Sequence, residues 1–381
     1  MPYADHLVLR NVWVASFVLS LSLLGDALLY VILPVHADAF GVSLAMVGFL
    51  LAINRIIRTF AYGFIADLAE RIGLKKLCLI AATTAVLSTL GYTLLNGAVW
   101  LSLSRVMWGL SYAALLLITL SYAAINPQKT GTRIGLSRSV EQIGPLFAMT
   151  VGAWLATLVG PKAVFGYLAI VSGLAVLLAF FLFEKAQPKT IKRPAKRDRL
   201  FPRPDSLDAL IFWMGAGIDG VFTLSISLMW AQQVSIELAI LIGGSILAAR
   251  RLSEMLVAPF AGIIADQFGT RLPLTIAIMA SICGFVLVGF SWLVLGSCLL
   301  VLARGALGTL FAAAVAKIYQ DSKITALARN QTWRDIGAAA GPLAAGAALT
   351  IVSPELLHLG LAVAFTGAFL WFLRSPGWRI L

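Results

Sequence analysis

The sequence predicts an all-α membrane protein, with twelve transmembrane helices in two pseudo-symmetric six-helix bundles, on three observations. Of its 381 residues 60% are hydrophobic and only 12% are charged, too little charge to coat a soluble protein of that size. The apolar residues come in runs suited to membrane-spanning helices of about 20 residues, without the sustained short alternation of a membrane barrel. The third observation is repetition. Gly63-Phe-Ile-Ala-Asp67 returns as Gly262-Ile-Ile-Ala-Asp266 at an offset of 199 residues, which also carries Arg105-Val-Met-Trp-Gly109 onto Arg304-Gly-Ala-Leu-Gly308. A slightly smaller offset carries Gly144-Pro145-Leu146 onto Gly341-Pro342-Leu343, each preceded by paired arginines, Arg133/Arg138 and Arg329/Arg334. Landmarks repeated in order mark a duplicated half, and two apolar halves are the plan of a transporter.

The first span is expected over 11–34. Ala37-Asp38-Ala39 resembles a cleavage site, but the run before it is too long and carries Asp26, so it reads as an uncleaved span. Spans follow at 43–66, 74–95, 98–122, 135–159 and 163–183, completing an N-terminal bundle over 1–183. Residues 184–206 hold eight Lys/Arg and four prolines, which reads as a basic, flexible linker. The C-terminal bundle, 207–381, has its spans at 207–230, 235–265, 272–290, 292–318, 327–352 and 355–373. Trp100, Trp230 and Trp292 fall at expected outer ends, where indoles anchor to the interface.

The net charge of +12 follows topology rather than a nucleic-acid site. With the N-terminus inside, cytoplasmic segments hold 20 Lys/Arg, the outer loops hold only Lys162, and eight arginines lie within spans. That bias places a multi-pass chain in the inner (plasma) membrane with both termini cytoplasmic. Cys78, Cys283 and Cys298 lie in apolar runs, so no disulfide framework is expected. The three histidines are scattered, and no metal spacing, P-loop or nucleophile elbow occurs. The expectation is a monomer without metal or cofactor, neither an enzyme nor driven by ATP, whose partners are a small-molecule substrate, protons and the lipid bilayer.

Thirteen charged residues lie three or more residues inside the span ends: Asp26, Arg55, Arg58, Arg105, Arg138, Glu141, Asp219, Arg250, Arg251, Glu254, Arg304, Arg334 and Asp335. At roughly 3 kcal/mol each, exposing them to lipid would cost about 40 kcal/mol, so they are expected to face one another or water. Spans 3, 6, 9 and 12 carry none of them, which suggests a polar interior among the other eight. For Arg138 and Arg334, near span ends, snorkelling is the alternative. Helical spacing pairs Arg250 or Arg251 with Glu254, and Arg138 with Glu141. Arg55 and Arg58, beside Asn54, have no acid on their own helix. The excess of cations favours an anionic or zwitterionic substrate, with Asn54, Arg55, Arg58, Arg105, Glu141, Arg250, Arg304 and Arg334 as candidate binding residues. Asp26 leads the proton-coupling candidates, ahead of Asp219 and Glu254; the alternative for each is a permanent ion pair that fastens helices. Asp67 and Asp266, at helix C-terminal ends, oppose the helix dipole. Each needs a cation such as Arg71 or Arg271, or another helix's N-terminus, and a contact made in one conformation only would be a latch.

Taken together these residues resemble the major facilitator superfamily over nearly the whole chain. Gly63, Asp67, Arg71, Gly73, Lys75 and Lys76 are similar to the family's signature loop between spans 2 and 3, with Gly262, Asp266, Gly269 and Arg271 as its compact second copy. Arg105 with Gly109 resembles the span-4 motif linked to proton transfer, and Leu33-Pro34 after Asp26 resembles the span-1 pattern of the drug:proton antiporter (efflux) families. Gly144-Pro145 resembles the span-5 antiporter motif, whose fuller version here lies in span 11. The resemblance implies a proton-coupled secondary transporter working by alternating access, exporting a small organic compound, with Gly63, Asp67, Arg71, Gly262, Asp266, Gly269 and Arg271 gating. A proton-coupled importer of an organic anion and a lipid flippase remain alternatives.

Overall fold

The computed structural model describes residues 5–126, 128–183 and 203–381, and among them there are helices and no strands. The first rod is α1 (Asp5–Ser22) continued by α2 (Leu24–Ile32) across a small break at Leu23. Then come α3 (Leu44–Ile72), α4 (Leu74–Leu94) and α5 (Ala98–Ala123). The next rod joins α6 (Thr130–Glu141), α7 (Ile143–Phe147) and α8 (Ala153–Val159), with a π-helical turn at Ala148–Gly152, and α9 (Ala163–Ala179) follows. Beyond the linker, α10 (Ser206–Met214) and α11 (Thr223–Trp230) flank a π-helical segment, Gly215–Phe222. Five helices complete the chain: α12 (Ile236–Phe268), α13 (Arg271–Gly289), α14 (Leu293–Ile318), α15 (Lys323–Ala348) and α16 (Pro354–Leu373), with a short α17 (Pro376–Ile380) at the end.

Among the described residues nine rods are long and apolar enough to cross a membrane, and Ala163–Ala179 is a shorter apolar helix. The long helices α12 and α15 are not among the nine. All twelve expected intervals are helical over most of their length. Several ends differ from expectation by a few residues, two of them at C-terminal ends that the sequence places in the cytoplasm: the second span runs to Ile72 rather than 66, and the eighth to Phe268 rather than 265. Nothing ahead of the glycines breaks either helix; Gly73 (φ 87°) and Gly269 (φ 84°) do, in the left-handed region that glycine enters without penalty. The linker expected over 184–206 lies outside the described residues up to 202. Its far end is already a helix start: Asp205 accepts from the backbone N–H of Leu207 and Asp208 (2.9 and 2.8 Å), and Asp208 accepts from Asp205 N–H (3.2 Å). That reciprocal pair is a capping box.

Packing divides the chain into two compact units, Met1–Asn126 with Val140–Pro202, and Pro127–Ser139 with Arg203–Leu381. Residues 130–139, which open the fifth span in sequence, therefore pack within the second unit. Their Gly131-x-x-x-Gly135 spacing explains why. A Cβ on Gly131 would meet Gly262 O at 2.6 Å, and one on Gly135 would meet Pro259 Cα at 2.9 Å, so bare backbone lies against α12. In the first unit the core is built on Leu28, Phe40, Tyr92 and Phe165, with Tyr92 edge-on to Phe165 at 5.5 Å. In the second, Gly337 and Gly341 of α15 press against the backbone of Phe212 and Ala216. Large apolar side chains, among them Phe64, Ile170, Phe260, Ile276 and Val363, lie exposed on helix surfaces, as lipid-facing groups do.

Candidate functional site

None of the thirteen ionisable residues is exposed; each is buried or half-buried. In the first unit Asp26 of α2 forms an ion pair with Arg105 Nη1 of α5, and Arg105 is completely buried. Arg105 also donates through Nε to Leu50 O (2.8 Å) and through Nη2 to Leu51 O (3.3 Å) and Tyr30 Oη (3.4 Å). Asn54 Nδ2 donates to Asp26 Oδ1 (3.4 Å). Behind Arg105, Gly109 lets α3 come close: a Cβ there would meet Asn54 O at 2.8 Å. Elsewhere in this unit the Arg58 guanidinium lies 4.5 Å above the Tyr112 ring, and Tyr112 Oη donates to Glu141 Oε1 (3.3 Å). Arg55 is half-buried on the same helix as Asn54.

The second unit repeats this plan with more charge. The π-helical segment contains Asp219, and such segments shift residues out of α register, often at functional sites. Arg304 of α14 grips Asp219 as a fork, Nε to Oδ1 at 2.7 Å and Nη2 to Oδ2 at 3.2 Å. Its Nη2 is also 3.6 Å from Glu254 Oε1 of α12. Arg250 donates to Asp219 Oδ1 (3.3 Å) and to Thr223 Oγ1 (3.2 Å). Arg250, one helical turn before Glu254, thus also reaches across to Asp219 on the π-helical segment. Arg334 folds onto its neighbour Asp335, with Nη2 to Oδ1 at 3.0 Å. A small, partly open recess is lined by Arg138, Glu254, Arg304, Gly308, Gln331 and Arg334, with Ile211 and Met214 as its apolar wall.

The gating candidates separate. Asp266 accepts from the backbone N–H of Gly131 (2.9 Å) and Thr132 (2.7 Å). It therefore caps the N-terminus of α6, one of the two partners its position demanded. Gly262 lies beside it, where a Cβ would strike Gly131 O. Arg271 is instead 4.1 Å above the ring of Trp378 on α17. Gly63 and Asp67 are half-buried on α3, and Arg71 is exposed in its last turn.

The structure thus brings together Asp26, Asn54 and Arg105 in one unit, and Asp219, Arg250, Glu254, Arg304 and Arg334 in the other. Sequence reasoning missed Tyr30, Tyr112, Thr223 and Gln331, uncharged polar groups that a count of charges passes over. Helical spacing held a signal for two of them. Tyr30 lies one turn after Asp26, and Gln331 one turn before Arg334 and Asp335. A further cluster was missed where α10 meets α15. Arg329 pairs with both Asp205 and Asp208, the latter at 2.6 Å from Nε. Tyr319 Oη donates to Asp205, and partial burial raises the Tyr319 phenol above its ordinary pKa.

Comparison with known proteins bears on this arrangement. No curated protein matches the sequence closely enough to be significant. Among solved structures, the human organic anion transporter MFSD10 (TETRAN) superposes with a TM-score of 0.75 at 16% identity, covering 95% of this chain and 98% of that one. The proton:xylose symporter XylE, bound to 6-bromo-6-deoxy-D-glucose, superposes with a TM-score of 0.77 at 14% identity, covering 98% of this chain and 96% of that one. At those identities the likeness establishes the fold. The family model described as Major Facilitator Superfamily matches residues 15–248, well over half of the sequence, and the chain is a multi-pass membrane protein that belongs to the major facilitator superfamily.

Proposed function

We propose that the protein is a proton-coupled secondary transporter of the inner (plasma) membrane, its termini cytoplasmic, that exports a small organic compound bearing a negative group by alternating access. One observation carries the reading: none of the thirteen charged residues is exposed, and in the recess of the second unit the guanidinium groups of Arg138, Arg304 and Arg334 outnumber the Glu254 carboxylate. A cluster with surplus Arg favours an anion, and a carboxylate held by Arg can exchange that partner for a substrate's acid group. Asp26, Asp219 and Glu254 are the groups assigned to proton coupling. Asn54, Arg55, Arg58, Arg105, Glu141, Arg250, Arg304 and Arg334 are assigned to the substrate, with Asp67 and Asp266 as gates. The organic anion transporter among the structural neighbours agrees with this substrate class.

The test is flux in inside-out vesicles given carboxyfluorescein as the organic anion. Export by antiport requires accumulation when the lumen is acid, and none without a gradient. The second reading, proton-coupled import, is favoured by the proton:xylose symporter among the neighbours. It requires the reverse, accumulation when the lumen is alkaline. Flux insensitive to the gradient would remove proton coupling from both.

A further inference from the structure

One titratable group of the second unit has no part in the transport reading. His358, in the second turn of α16, is 0% exposed. Its ring packs against Phe222 of the π-helical segment and Phe285 of α13, with ring centres 6.4 and 6.2 Å away. Phe285 is itself held tightly: a Cβ on Gly217 would meet its ring at 2.6 Å. Two polar contacts remain to the imidazole. Nδ1 is 2.7 Å from Pro354 O, and Nε2 is 3.4 Å from Ser225 Oγ on α11. A carbonyl oxygen can only accept, so Nδ1 carries a hydrogen, and in the neutral ring Nε2 is a bare acceptor. Ser225 Oγ also donates to Val221 O at 2.9 Å. A single hydroxyl hydrogen therefore faces two acceptors, and one of them goes short. The imidazolium removes the conflict. Nδ1–H donates to Pro354 O, Nε2–H donates to Ser225 Oγ, Ser225 donates to Val221 O, and every group has a partner.

We infer that His358 is a proton-binding site whose loading ties α16 to α11 and commits the Ser225 hydroxyl to the π-helical segment. Val221 belongs to that segment, as does Asp219, so a proton taken up by the ring is felt through one hydroxyl in the backbone that carries the central carboxylate. Desolvation opposes the charge, while Ser225 and the carboxylate of Glu355, one turn earlier on α16, favour it. The charged groups of the elements packed around the ring are otherwise engaged or distant. Asp219 is taken up by Arg304 and Arg250. Asp208, Arg271 and Arg374 lie at least 14 residues along the chain from Phe222, Phe285 and His358, and Cys283 of α13 is exposed. The site is separate from the carboxylates assigned to coupling and stands whichever way substrate moves.

The experiment uses the full-length protein in liposomes with His6→Gln and His36→Gln, both at exposed positions, so that imidazole nitrogen-15 labelling reports His358 alone. Solid-state NMR distinguishes a protonated ring nitrogen from a bare one. At pH 8 the expected result is a protonated Nδ1 and a bare Nε2. As the pH is lowered to 4, Nε2 is expected to gain its proton in one transition, and the Val221 carbonyl carbon-13 resonance to shift with the same midpoint. Ser225→Ala should lower that midpoint by about one pH unit, the worth of a hydrogen bond to a charged group. The tautomer, the transition and the Val221 shift are read without that substitution, so they decide the matter if Ser225→Ala does not fold. A proton on Nε2 with a bare Nδ1 at pH 8, or a ring that keeps one bare nitrogen down to pH 4, overturns the inference. So does a Val221 carbonyl that ignores the transition, or a midpoint that Ser225→Ala leaves in place.

Discussion

The ion pair between Asp26 and Arg105 makes a prediction whose size follows from its surroundings. Arg105 is completely buried and cannot shed its charge. In Asp26→Asn it would keep only the carbonyls of Leu50 and Leu51, the Tyr30 hydroxyl and a neutral amide. Removing one partner of a buried pair costs about 3–5 kcal/mol, because the other charge is left uncompensated. Arg105→Met should cost less, about 1–3 kcal/mol, since a lone carboxylate can take up a proton and Asn54 still donates to it. The double variant removes both charges and should recover most of the loss, giving a coupling energy of about 3 kcal/mol. At about 2–4 °C per kcal/mol, Asp26→Asn should melt roughly 6–20 °C lower and the double variant within a few degrees of the parent. Cys78 is buried in α4 of the same unit, while Cys283 and Cys298 are exposed. A parent with the two exposed thiols replaced by alanine therefore reports unfolding through a thiol-reactive dye at Cys78. If Asp26→Asn melts within two degrees of that parent, or the double variant loses the sum of the singles, the pair does not hold the unit together as argued.

Other consequences are open to direct measurement. If Asp26 carries the coupling proton, Asp26→Asn abolishes flux driven by a proton gradient while exchange of labelled for unlabelled substrate persists; gradient-driven flux at the parental rate would refute that role. Asp266→Ala removes the acceptor of two backbone N–H groups at the start of α6. It should lower stability by about 1 kcal/mol and speed amide exchange in residues 130–134, whereas Asp266→Asn, still an acceptor, should retain most of the protection. Trp378→Ala removes the ring beneath Arg271 and its edge contacts with Phe369 and Phe372. A loss of about 1 kcal/mol is expected, with α17 becoming accessible to protease while α16 stays protected; unchanged cleavage there would show that the stack does not secure the segment.

The helical spans and the burial of the charged residues were legible because each depends on composition or period, which a chain carries openly. Helix ends were less so: hydropathy falls away at 66 and 265, yet the backbone continues until Gly73 and Gly269 stop it. Partner choice was least legible. Spacing set Arg250 and Arg251 beside Glu254 but gave no sign that Arg250 also reaches Asp219 on a π-helical segment, and no side-chain pattern announces a π turn. Arg334 and Asp335, adjacent in sequence, do not share a helix face, yet a long guanidinium stem folds back far enough to close the pair. Gln331 went unremarked because an amide carries no charge, although the fold buries it beside Arg334 and Asp335.

The two halves also answer a question their repeat raises. Arg105 and Arg304 align at 199 residues, whereas Asp26 and Asp219 are 193 apart, so a strict offset would not match the acids. The folded units match them anyway: each sets a carboxylate from its first rod against an arginine from its fourth. In the first unit one acid and three protein oxygens enclose the guanidinium. In the second, Asp219 is shared by Arg304 and Arg250, and Arg304 is shared with Glu254. A shared carboxylate can let go of one partner without stranding a charge, which the one-to-one pair cannot. Exchange of partners, the step proposed to couple a substrate acid to a proton, is therefore less costly around Asp219 and Glu254 than around Asp26. Neutralising Glu254 should accordingly shift the pH dependence of substrate affinity, whereas neutralising Asp26 should first lower stability.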